Sequence, residues 1–511
     1  MILEFEKFKT YIDKFNRNDE NCHPVLISNN GSSDWMQKNI PLFECPDEEI
    51  EETYYFRWWT YRKHIKYTPF GYIVDEFLPD VPWAGNYNSI NASANHHLYE
   101  GRWLKNAEKY LEKYCEFWFR YARYPRMYSS WLEDSIYNFC KVRGDFSLAI
   151  RLLPEMINDY HEWEVTNLNK SGLFWSHDGY DAMEFSISGH GLRPTLNSYM
   201  YANAKAIAEV AEMAGDHDNE VLFSAKAEKI KKLMQDHLWD PKDEFFKVIP
   251  LETKDEVIED WSFRAIDPDH NVREEIGFIP WYFNLPDDGY EIAWKQIMDE
   301  NGFYAPFGPT TAERRHRRFM FEHDEHECLW NGPSWPYATS QTLKAMSNVL
   351  VNYDQRFVDC NDFYKLLKIY THCHYRTLKD GSRVNWIDEN IHPFTGVWLA
   401  REILEKWNWR EDKGGYERGK DYNHSEYCDI IISDLIGLRP RKDDILEIVP
   451  LIPEDQWDYF CLDEVPYHGR LLSLVYDKKG KRYGMKAGFS VYADGKELYN
   501  GSKFGHIKIQ L

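Results

Sequence analysis

Residues 194–215 read PTLNSYMYANAKAIAEVAEMAG. Leu196, Tyr199, Met200, Ile207, Val210, Ala211 and Ala214 recur at helical spacing, which predicts an amphipathic helix. Pro194 stands near its start and Gly215 just past its end, where helices prefer these residues. Upstream, RWLKNAEKYLEKYCEFWF (102–119) repeats the pattern. Downstream, so do SQTLKAMSNVL (340–350), DFYKLLKIYTHCHY (362–375) and EYCDIIISDLIGL (426–438).

Between these helices lie loops rich in Gly, Pro and aromatics: PWAGNYNSI (82–90), DGYDAMEFSISG (178–189), GFYAPFGPT (302–310), LWNGPSWPY (329–337) and WIDENIHPFTG (386–396). Helices alternating with such loops predict stacked αα-hairpins whose loops gather at one end and carry function. Near residue 440 the texture changes. ILEIVPLIP (445–453) and the segment 471–511 alternate apolar and polar residues, with turn signals at DKKGK, ADGK and NGS. The expected division is an N-terminal helix and polar loop over 1–45, a helical region over 46–440, and an antiparallel β module over 441–511.

Composition narrows the partners. The chain has 511 residues and a formal net charge of −23, which argues against nucleic acid and anionic membrane surfaces. A neutral small substrate suits it. No apolar run of signal-peptide or membrane-spanning length appears, so the expected location is cytoplasmic. The nine cysteines form no CxxC pair, which fits free thiols. Aromatic residues make up 16% of the chain, enough for a large core, a ring-lined sugar cleft, or both.

Three segments are candidates for chemistry. DGYDAMEFSISG holds Asp178, Asp181 and Glu184 among glycines and rings, a setting that raises a carboxyl pKa and suits a general acid. Asp388 and Glu389 precede a Pro/Gly turn and could supply a second carboxylate; inverting glycoside hydrolysis uses such an acid–base pair. FEHDEHECLWNGPSWP (321–336) sets His323, His326, Glu327 and Cys328 close together, but the spacing matches no zinc signature. No GxGxxG, GxxxxGK[ST] or GxSxG occurs, so neither a nucleotide cofactor nor serine-hydrolase chemistry is expected.

These motifs resemble those of the six-hairpin glycosidases, particularly glycoside hydrolase families 63 and 37 and the mannosylglycerate-hydrolase-like proteins. Ala182-Met183-Glu184-Phe185-Ser186 is similar to the family stretch that supplies the general acid, with Glu184 in place of Asp. Trp330-Asn331-Gly332-Pro333-Ser334-Trp335 resembles Trp-Arg-Gly-Pro-Val-Trp, with Asn331 in place of Arg. Glu389-Asn390-Ile391-His392-Pro393-Phe394-Thr395-Gly396 resembles the segment that supplies the base, and Tyr422-Asn423-His424-Ser425 echoes a later one.

The matches run in family order over residues 175 to 430. The resemblance implies a mainly α chain, an (α/α)6 barrel with a small C-terminal antiparallel β module. It implies a glycoside hydrolase that cleaves an α-linked sugar by inversion. Glu184 would be the acid, with Asp181 the reserve candidate, and Glu389 the base. Trp83, Trp330, Trp335 and Trp386 would wall the sugar subsite. Arg193, Asn331, Tyr422 and His424 would bond hydroxyls or hold carboxylates. No metal or other cofactor is expected, and the chain could form a homo-oligomer. Two rivals stand beside this reading: a glycoside phosphorylase, with ERRHRR (313–318) as its basic cluster, and a non-catalytic sugar-binding protein.

Overall fold

The computed structural model describes residues 2–321 and 326–511. The helices are α1 (Lys9–Asn18), α2 (Asn29–Asn39), α3 (Glu48–Tyr61), α4 (Asn91–Gly101), α5 (Ala107–Arg120), α6 (Leu132–Arg143), α7 (Ser147–Asn167), α8 (Pro194–Ala214), α9 (His217–His237), α10 (Ile279–Tyr282), α11 (Pro336–Asn352), α12 (Cys360–His372) and α13 (Leu399–Lys406). The chain is mainly helical, with small antiparallel sheets.

The helix ends follow their sequence signals. Pro194 opens α8 and Pro336 opens α11, where the missing N–H has no intrahelical partner to lose. Gly215 closes α8 at φ 73°, in the left-handed region that spares glycine a Cβ clash. A capping box of Asp359 and Asp362 starts α12.

Helices α4, α6, α8 and α11 are buried along most of their length, while α5, α7, α9 and α12 show one polar face. In order, α4 packs on α6, α6 on α8, α8 on α10, α10 on α11, and α11 on a π-helix at Ile430–Leu435. Bonds from the segment before that π-helix return to α4: Glu426 meets His96 Nδ1 (3.0 Å), and the amides of Cys428 and Asp429 donate to Glu100 (2.9 and 2.8 Å). The loops entering the buried helices collect at one end.

The first 45 residues depart from expectation. Two helices occupy them instead of one helix and a loop. Leu42–Glu44 then forms an edge strand on the C-terminal sheet, paired antiparallel with Cys461–Asp463. Three residues are too short for a visible alternation, and the partner lies far along the chain. The sheet continues through Tyr459–Tyr467, Arg470–Asp477, Gly488–Ala493 and Lys496–Gly501. The ADGK signal makes its last tight turn, with Asp494 and Gly495 both at positive φ (48° and 79°), as a type I′ hairpin requires.

Candidate active site

The acid loop is built on Arg193, the residue before α8. Its side chain is fully buried, and it donates to Asp181 Oδ2 (Nε, 2.7 Å), Ser186 Oγ (3.1 Å), Ser188 Oγ (3.4 Å) and the Gly189 carbonyl (2.5 Å). This grip holds Ala182 and Phe185 at φ 57° and 60°, a strained geometry for non-glycine residues. Asp181 is therefore held inside the loop through Oδ2 and is not among the residues that line the cavity Glu184 reaches. Glu184, three residues on, reaches the surface of a cavity of about 470 Å³.

Two loops complete that wall. Ser334 and Ile391 exchange backbone hydrogen bonds (3.0 and 2.8 Å), which zips the LWNGPSWPY loop to WIDENIHPFTG. The Trp330 amide donates to the Glu184 carbonyl (3.1 Å), tying both to the acid loop. Glu389 thereby faces the same cavity as Glu184. Arg418 Nε donates to Glu389 Oε1 (2.7 Å) and the Cys328 thiol donates to Oε2 (2.8 Å), so both oxygens are held.

The electrostatics separate these carboxyls. Burial pushes Glu184 up to about 8, and the charges of Glu389, Asp178 and Glu327 add to it, so it holds its proton at neutral pH. Burial also raises Glu389, but the Arg418 guanidinium works against that rise. Burial opposes ionisation of Glu327, yet Arg418 (2.6 Å) and Lys413 (3.0 Å) hold it at about 2. The Cys328 thiol is pushed well up by burial and by Glu389, which keeps it a donor.

Of the residues singled out in the sequence, Glu184, Glu389, Trp83, Trp330, Trp335, Tyr422 and His424 share this cavity, as do His326, Glu327 and Cys328. Trp330 and Trp335 stack at 4.4 Å between centroids, and Tyr422 lies 3.6 Å from His424. Burial keeps His424 neutral. Four others lie elsewhere. Asp181 and Arg193 bind each other. Asn331 donates to the Phe321 carbonyl (2.8 Å) in a neighbouring groove. Trp386 donates to Asp388 (3.3 Å) beneath the guanidinium of Arg401 and lines a separate pocket with Trp59 and Lys420.

The sequence reading missed Glu76, Tyr128, Tyr337 and Arg418, all of which line the cavity. Glu76 is a further buried carboxyl beside Glu184, Glu327 and Glu389; burial pushes it up to about 8, and Tyr422 donates to its Oε1. The only signals available were an acid shortly before Trp83 and an arginine in the glycine-rich GGYERGKDYN segment.

Two groups of residues of metal-ligating type converge among the described residues. His326, Glu327 and Cys328 do converge, but Glu327 is held by two cations and Cys328 is bonded to Glu389. His323 lies outside the described residues. His177, Asp178 and His190 also converge; their imidazoles stack at 3.7 Å and 26°, and both Nδ1 atoms lie against Asp178 Oδ1 (3.1 and 3.0 Å). The ERRHRR arginines are absent from the cavity lining: Arg315 pairs with Asp299, Arg317 with Asp269, and Arg314 lies over Phe394.

The model described as mannosylglycerate hydrolase MGH1-like glycoside hydrolase domain matches residues 86–425. The chain belongs to that family. Beyond this MGH1-like region, the model of the glycosyl hydrolase family 65 C-terminal domain matches residues 438–499. A solved structure titled "Sialidase" is 39% identical over 99% of the MGH1-like chain, with a TM-score of 0.90. The chain spans 45% of that protein's length.

A family 78 rhamnosidase from Bacillus sp. GL1 is 11% identical over 92% of this chain and 42% of its own (TM-score 0.54). A Klebsiella oxytoca rhamnosidase with rhamnose bound is 12% identical over 77% and 65% (TM-score 0.50). These two likenesses show the fold alone. The MGH1-like chain is thus a glycoside hydrolase family member, and among its described residues no helix is long and apolar enough to cross a membrane.

Proposed function

We propose that the protein hydrolyses an α-linked glycoside with inversion, on an (α/α)6 barrel spanning about residues 46–440 with a β module after it, and that it works in the cytoplasm. One observation carries the mechanism: Glu184 and Glu389 face one cavity, with Glu184 protonated and Glu389 gripped by Arg418. Glu184 gives its proton to the glycosidic oxygen as the bond to the anomeric carbon breaks. Glu389 takes a proton from the water that attacks the opposite face. Arg418 and Cys328 orient Glu389, while Trp83, Trp330 and Trp335 offer apolar faces to the sugar ring. Glu76, neutral at pH 7, suits hydrogen bonding to the sugar. The succession of buried helices from α4 to the π-helix, returning to α4, supports the barrel.

The likeness to the sialidase favours a second reading, cleavage of an α-linked sialic acid. The cavity's cations, Lys413 and Arg418, are both paired with carboxylates, which favours a neutral ring instead. A panel of neutral α-glycosides and α-sialosides, with product anomers followed by NMR, tests both. First appearance of the opposite anomer supports inversion. Retention of configuration would overturn the mechanism, and turnover of sialosides alone would reassign the substrate. Turnover only with phosphate present would make the enzyme a phosphorylase.

A further inference from the structure

The helices that present the sugar cavity have a second end. α4 carries Ala92 in the cavity and Tyr99 near its far end; α11 carries Tyr337 in the cavity, then Lys344 and Asn348. Around these far positions lies another cavity, of about 350 Å³. Five cations line it: Arg102, Lys141, Lys205, Lys344 and Arg439, against the carboxylates Asp134 and Glu209. This is a local reversal of sign in a chain of net charge −23.

Three of the five cations are committed. Arg102 binds Asp429 (2.7 Å), Lys344 binds Asp429 and Asp434 (2.5 and 3.1 Å), and Arg439 binds Asp434 (3.0 Å). Lys141 and Lys205 have no ion-pair partner among the described residues. Their ammonium groups lie near aromatic rings, 5.0 Å from the Tyr137 centroid and 5.4 Å from that of Tyr201. The carboxylates are occupied: Asp134 accepts from Tyr99 (2.6 Å), and Lys442 holds Glu209 from outside (2.6 Å).

We propose that this cavity binds a small anion, its phosphate or carboxylate group seated against the ammonium groups of Lys141 and Lys205. The volume suits a metabolite of a few carbons. Lys141 is half-buried and Lys205 is exposed, so the cost of an ammonium without an acceptor falls on Lys141, and an anion supplies the missing charge and acceptors. Lys141 reports the deficit: burial pushes it down to about 8, Arg102 and Lys205 add to the fall, and Asp134 and Glu209 oppose it. An arriving anion reverses that shift. Near pH 8 binding therefore takes up a proton, which sugar binding at the other end would not require of Lys141.

Isothermal titration of the full chain with inorganic phosphate, and separately with citrate, tests this. The runs are made at pH 8 and constant ionic strength, in two buffers of different ionisation enthalpy. The expected result is saturable binding of at least one anion with proton uptake. Lys141→Met should weaken it roughly tenfold, the loss of one charge-assisted hydrogen bond, and abolish the uptake. Lys205→Met should weaken it less. Should Lys141→Met fail to fold, Lys141→Gln and the wild-type proton uptake decide the matter. No binding of either anion, equal binding by the Lys141→Met/Lys205→Met double variant, or loss of binding through Arg418→Met instead would overturn the proposal.

Discussion

The two ends of the buried helices are built to opposite rules. At the end that holds the sugar cavity, each cation is spent on a carboxylate, and two carboxyls, Glu76 and Glu184, are left uncharged by burial. At the other end the carboxylates are spent on partners, and two lysines are left over. The difference teaches that net charge is a poor guide to a site. The unpaired remainder, protonated acids at one end and ammonium groups at the other, sets what each cavity can do.

The largest expected effect lies at the sugar end. Glu389→Gln should lower kcat by about 10³-fold or more, within the span typical of general-base loss, while sugar binding measured by calorimetry persists. Persistence of turnover would break the comparison at its catalytic side. Next, Glu184→Gln should lower kcat by about 10²–10⁴-fold for poor leaving groups and much less for nitrophenyl glycosides. Wild-type activity should fall as pH rises through about 8, where Glu184 loses its proton, and this alkaline limb should move or flatten in the variant.

Asp181→Ala sharpens the contrast within one loop. Breaking its buried pair with Arg193 should cost about 3–5 kcal/mol of stability in a denaturant titration. If Asp181→Asn, rather than Glu184→Gln, showed the leaving-group dependence, the acid would have to be reassigned. Smaller still, Cys328→Ala should reduce kcat several-fold with little change in KM, because it removes one hydrogen bond that orients Glu389.

The smallest effect is at the lysine end. Lys141 titrates near 8 folded and near its ordinary value, about 10.4, unfolded. Between these the unfolded chain binds more protons, so stability should rise with pH across that window. The penalty is fully present below it. In Lys141→Met the rise should shrink, with activity unchanged; an identical pH–stability curve would remove Lys141 from the argument.

Much of this was legible in the sequence, for reasons that differ by residue. The stripe of α8 and the prolines and glycine at its ends stated the helix outright, because periodicity records burial of a face. Glu184 and Glu389 were visible as acids in ring-rich loops. Trp386 and Asn331 sat in equally suggestive loops but turn away from the cavity, since direction of a side chain depends on backbone geometry that composition does not encode. Arg418 and Glu76 were missed because neither belongs to a periodic segment or a motif. Their importance comes from contacts with Glu389 and Tyr422, far away in sequence. The edge strand Leu42–Glu44 hid for the same reason.

That strand has a bearing on biosynthesis. The partner of Leu42–Glu44, Cys461–Asp463, is made more than 400 residues after it. Until then the short strand has nothing to pair with, and the sheet cannot acquire its outer member. Pairing at such separation is slow to nucleate, so it belongs late in folding. The Leu3 amide on the Asp463 carboxylate (2.8 Å) and the Glu44 pair with Arg482 fasten the same seam. A chain shortened to begin at residue 46 would lose α1 and α2, uncover the core that Phe8, Ile12, Phe15 and Met36 help to fill, and present a bare sheet edge, the sort of surface through which copies of a protein stick together.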